Sequence, residues 1–169
     1  MLVIGYLGLI IGFGSLGLLQ AMRIRKRPRE IREFVQALVL LDTEIYWGAT
    51  PLPAAFSVLK EWTESPWKEF FGKLEQYLRR GENAWTSWEK ACKEQQKKTC
   101  LLDEDWGIIR GIGKGLGRSD RCEQHKNLEL AQKQLAHADE KARLQADSKA
   151  KMWSYLGFLG GMVIVIFIM

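Results

Sequence analysis

The sequence predicts an all-α fold, a six-helix bundle flanked by an N-terminal and a C-terminal transmembrane helix. Three observations carry that expectation. All 45 charged residues of the 169-residue chain lie between Arg23 and Lys151, so both ends are uncharged. Between them, apolar residues recur at steps of three and four, the helical period, with no strand-like alternation of useful length. Proline and glycine cut that pattern into pieces of helix length.

The chain divides accordingly into a first span (1–22), a bundle (23–151) and a second span (152–169). Roughly 20 apolar residues cross a bilayer's hydrocarbon core. The first segment is long enough and the second is near the lower limit, with Met152, Trp153 and Tyr155 as interface anchors. A cleaved signal peptide would place its positive residues before the apolar stretch, whereas Arg23, Arg25, Lys26, Arg27 and Arg29 follow it. Basic residues crowd the inner ends of both spans, which orients the bundle towards the cytoplasm. Gly5, Gly8, Gly12 and Ser15 repeat on one face of the first span, as do Ser154, Gly157 and Gly161 in the second. Small residues at that spacing either bring membrane helices together or reflect how common glycine is in them.

Within the bundle, the first helix is expected from about Arg29 to Trp47, with Ile31, Phe34, Val35, Leu38, Leu41 and Ile45 on its apolar face and Gly48 ending it. Thr50 is placed to cap a second helix that has Pro51 in its first turn and Leu52, Ala55, Phe56, Leu59 and Trp62 as its stripe. Ser65-Pro66 opens a third, with Trp67, Phe70, Phe71, Leu74 and Leu78 facing inward as far as Gly81. Asn83 starts a fourth that carries Trp85, Trp88 and Cys92 and dissolves into "KEQQKK". Thr99 starts a fifth, carrying Leu102, Trp106, Ile109, Ile112 and Leu116, which Gly117 stops. Asp120 caps the sixth, with Glu123 at capping-box spacing. That last helix repeats Leu128, Ala131, Leu135, Ala138 and Ala142 at steps of three and four and has no breaker before Gly157.

Several function classes are excluded by spacing. "GIGKGLG" resembles a phosphate loop, but five residues before Gly113 stands Ile108, and Gly115 follows Lys114 where a hydroxyl is required. The dinucleotide pattern fails as well, because Leu116 occupies the third glycine's place. Cys122 and His125 are the one pair at ligand spacing, and no second pair completes a zinc set. The three cysteines cannot all pair within the chain, and in a cytoplasmic domain they stay reduced. His125 and His137 share one helix without a nucleophile on a strained turn, which argues against an enzyme. Of the seven tryptophans, Trp62, Trp67, Trp85, Trp88 and Trp106 fall on apolar faces rather than along a basic stripe, which argues for core and against nucleic acid.

Three stretches carry a family resemblance: "RPREIREFVQALVLLDTEIYWGATPLP", "GKGLGRSDRCEQHKNLELA" and "KMWSYLGFLGG". The chain resembles the stage III sporulation protein AB family of endospore-forming bacteria over its whole length. Ala54 departs from the acidic residue expected after Pro53. The resemblance implies a non-enzymatic platform or adaptor in the channel apparatus between mother cell and forespore, located in the mother-cell membrane. It implies a bundle like the cytoplasmic F-type domain of type II secretion platforms, without a cofactor or metal. The implied partners are the apparatus's cytoplasmic secretion-type ATPase and other membrane subunits of the channel; self-association into a homo-oligomer is compatible with that role. Glu44, Arg118, Asp120 and Arg121 are the polar residues selected as a partner interface, against a reading in which they only cap helices and form local ion pairs. The alternative function is a membrane-anchored helical spacer whose basic arms bind anionic lipid, or which meets extracytoplasmic channel subunits.

Overall fold

The computed structural model describes the backbone of residues 2–117 and 120–168, and the side chains of residues 22–117, 120–146, 148, 152 and 155. Six helices follow one another: α1 Leu2–Tyr46, α2 Leu52–Trp62, α3 Trp67–Arg79, α4 Ala84–Gln96, α5 Asp103–Gly113 and α6 Arg121–Ile168. No strand occurs among the described residues. The chain forms two compact units, Arg29–Asp139 and the pair of segments Met1–Pro28 with Glu140–Met169.

Unit Arg29–Asp139 contains the core. On α1, Ile31, Phe34, Leu38, Leu41 and Ile45 are buried, as the spacing predicts, together with Ala37. Val35 is only half-buried. Aromatic rings fill the centre: Phe34 packs 4.4 Å from Trp67, and Phe70 meets Trp88 edge-on at 5.2 Å. Each buried indole N–H finds an acceptor, which removes the penalty of hiding a donor. Trp67 donates to the Glu30 carbonyl at 2.9 Å, Trp88 to the Ile109 carbonyl at 2.8 Å, and Trp106 to the Thr99 hydroxyl at 3.2 Å.

Several helix ends differ from the sequence expectation, each for a local reason. α1 does not begin near Arg29; it runs through Pro28, which withholds one backbone donor without ending the helix. Thr50 does not cap α2, because its hydroxyl donates back to the Glu44 carboxylate at 2.7 Å. α4 continues through "KEQQ", since Gln95 is fully buried and its amide donates to the Pro66 carbonyl. α5 starts at Asp103 rather than Thr99, with the Asp105 carboxylate accepting from the Leu102 N–H at 2.9 Å. Leu102 is therefore exposed, and Leu101 turns inward instead. Two caps stand as expected. Asn83 accepts from Thr86 at 2.8 Å, and Asp120 accepts from the Glu123 N–H at 2.7 Å.

The glycine-rich end of α5 has a packing function. A Cβ on Gly113 would lie 2.4 Å from Cδ1 of Trp88, so only glycine lets that indole lie against the helix. Gly117 adopts φ +73°, a left-handed stop just after α5.

In the other unit, Ala142 and Ala146 are buried four residues apart on α6. Among the described residues no helix is long and apolar enough to cross a membrane. The side chains of Gly5, Gly8, Gly12, Ser15, Ser154, Gly157 and Gly161 lie outside the described residues.

Candidate partner interface

Of the polar residues selected from the sequence, Glu44, Asp120 and Arg121 lie at helix ends. Glu44 closes the end of α1: its carboxylate takes the Thr50 hydroxyl and its carbonyl takes the Thr50 N–H at 2.9 Å. Gly48 is required beside it, because a Cβ there would come within 2.8 Å of the Glu44 carbonyl oxygen. Asp120 caps α6, Arg121 is exposed as the first residue of that helix, and Arg118 lies outside the described residues. Glu44 and Asp120 thus each hold their own turn.

A joint that spacing did not reveal ties α1 to α6. His125 Nδ1 lies 2.8 Å from Asp42 Oδ2, and the Tyr46 ring stacks on the imidazole at 4.6 Å. This engages the histidine that the sequence had paired with Cys122, which is exposed. The second link is Arg32 to Asp139, at 3.4 Å. Sequence offered little warning of either, since the partners stand 83 and 107 positions apart.

An open groove of about 690 Å³ lies between α1 and the end of α2. Ala37, Val39, Leu40 and Trp62 supply its apolar lining, buried Trp67 contributes to it, and Glu33 and Glu64 add carboxylates. Arg29 spans both acids, 2.7 Å from Glu33 and 4.0 Å from Glu64. Trp62 is 77% exposed, which corrects the expectation that it belongs to the core. It occupies the last turn of α2, where no further element covers it. Trp47, beyond the end of α1, is 79% exposed. One sequence signal did exist: the five apolar residues Ala37–Leu41 are too many for one helix face, so some of them must point away from the core. An exposed tryptophan beside an apolar groove is the usual composition of a protein-binding surface.

Among the described residues no group of three or more His, Cys, Asp and Glu side chains is placed to hold a metal ion. Burial pushes the Cys92 thiol up to about 12, so it does not supply a thiolate near neutral pH.

Comparison with known proteins places this architecture. The family model for stage III sporulation protein AB matches residues 2–169. The chain belongs to that family. The stage III sporulation protein AB of Bacillus subtilis (strain 168) is 30% identical over 145 residues, covering 85% of each chain. A solved structure of a stage III sporulation protein AB (SpoIIIAB) superposes with a TM-score of 0.68 at 30% identity, covering 72% of this chain and 96% of the other. In this chain the stage III sporulation protein AB fold presents the α1–α2 groove as an open apolar surface.

Proposed function

We propose that the chain is a non-enzymatic platform subunit of the channel apparatus used in endospore formation, holding a helical bundle at the mother-cell membrane to receive a cytoplasmic secretion-type ATPase. The observation that carries this reading is the placement of charge. Residues 29–139 contain seventeen basic and eighteen acidic side chains and are nearly neutral. The positive excess sits next to the uncharged ends instead, with four basic and no acidic residues in 23–28 and four basic against two acidic in 140–151. Two uncharged stretches bordered on their inner sides by cations are what a doubly anchored domain on the cytoplasmic side requires. The near-neutral bundle, with its groove and exposed tryptophan, is left to contact protein. The same cationic arms favour a second reading, a spacer held on anionic lipid.

Cysteine accessibility tests the proposal. Cys92, Cys100 and Cys122 are replaced and one cysteine is returned at exposed Lys97, in the full chain. Protection from a membrane-impermeant maleimide until permeabilisation is the expected result, followed by co-purification of the ATPase. Labelling in intact cells would move the bundle outside the cytoplasm and remove the ATPase as its direct partner. A protected bundle that does not retain the ATPase but floats with anionic vesicles would favour the spacer.

A further inference from the structure

Two uncovered surfaces of unit Arg29–Asp139 complement each other. The first is the α1–α2 groove, walled by Val39, Leu40 and Trp62, with Glu33 and Glu64 among its lining. Glu61, exposed next to Trp62, adds a carboxylate that has no cationic partner among the described residues. Of these acids, Glu33 and Glu64 share the guanidinium of Arg29.

The second surface is the outward face of α6 where it borders α5. Leu130 stands 56% exposed beside a hollow of about 290 Å³ that Gly107 and Gly111 also line. A Cβ on either glycine would meet nothing within 4 Å, so the hollow is open to an incoming side chain. Lys114 lines the hollow and Lys126 lies one helical turn before Leu130. Both are exposed, and neither has a carboxylate partner among the described residues. Lys133 is already matched by Glu129 at 2.7 Å, and Glu104 stands near the start of α5.

We infer that a second copy of this chain docks its α6 face, led by Leu130, in the α1–α2 groove, while Trp62 enters the hollow beside Gly107 and Gly111. An apolar anchor with basic neighbours meets an apolar groove with acidic neighbours, so charge sets the partner and the register while the tryptophan supplies the buried contact. The two surfaces share no residue. The contact is therefore head-to-tail, each copy keeps one surface of each kind free, and addition continues until a ring closes or a row extends. This inference stands independently of the ATPase as partner.

Cross-linking of the full chain in membranes tests it. Exposed Cys122 is replaced by serine. One tagged copy then carries Gln36→Cys, from the groove lining, and a second, differently tagged copy carries Gln134→Cys, from the hollow lining. A short bis-maleimide is expected to join the two kinds of copy when they are co-produced, and neither kind to itself. Trp62→Glu is expected to abolish the adduct, as is Leu130→Glu introduced separately, with thermal melting unchanged because both side chains are exposed. Absence of the mixed adduct overturns the inference. So does a predominance of like-with-like adducts, which would mean a two-fold contact, or an adduct that survives both substitutions in folded protein.

Discussion

Gly113 shows how one residue is chosen by a neighbour far away in the chain. Its backbone is helical and any residue could adopt it, yet the space for a side chain is occupied by Trp88. Gly113→Ala is expected to destabilise the bundle by about 1–3 kcal/mol, the usual effect of forcing extra volume into a packed core. Urea unfolding of the variant measures this, and an unchanged midpoint would mean that Trp88 can move aside freely. Asp120 is the opposite case, with a role readable from its neighbours in sequence. It holds one free N–H of the first turn of α6, and Asp120→Ala should lower stability by about 1 kcal/mol and the melting temperature by a few degrees. Lost partner binding with an unchanged melting curve would show that the residue is an interface contact and not only a cap.

At the scale of elements, α3 and α4 are joined by a surface network as well as by the core. Lys73 and Tyr77 on α3 both donate to the Glu94 carboxylate on α4. The Lys73 hydrogen bond, followed by that from Tyr77, holds the Glu94 carboxyl below its ordinary value of 4.5. A carboxyl with a depressed folded value binds fewer protons folded than unfolded, so its contribution is full above the unfolded value and is lost as pH falls through the folded one. Glu94 is partly exposed, which limits the contribution to about 1 kcal/mol or less. Lys73→Met should therefore destabilise the protein modestly at about pH 7 and scarcely at all near pH 3. Denaturant melts at the two pH values check this; an equal loss at both would assign the effect to packing of the lysine stem. The residue types behind this network are visible in the sequence, but their meeting is not, because Lys73 and Glu94 lie on different helices.

At the scale of the whole molecule, charge is distributed by region. The bundle balances its own charges, while residues 23–27 concentrate four cations beside the first uncharged stretch. If orientation rests on them, replacing Arg23, Arg25, Lys26 and Arg27 by glutamine should let a fraction of chains insert the other way. The reporter cysteine at position 97 would then become labelled in intact cells. Continued full protection would show that the second cationic arm is sufficient to orient the chain. The sequence by itself determined the all-helical class, the six helical pieces of the bundle and the caps at Asn83 and Asp120, because these depend on periodicity and on residues within one turn of each other. It also placed most of the core, since a period of three and four names the buried face of a helix whichever neighbour covers it. Only the tertiary structure decided that Trp67, Trp88 and Trp106 are enclosed while Trp62 stands exposed, and that His125 bonds to Asp42. The physical reason is that periodicity gives a side chain's direction from its own helix axis, whereas burial and pairing require a second element to arrive at that position.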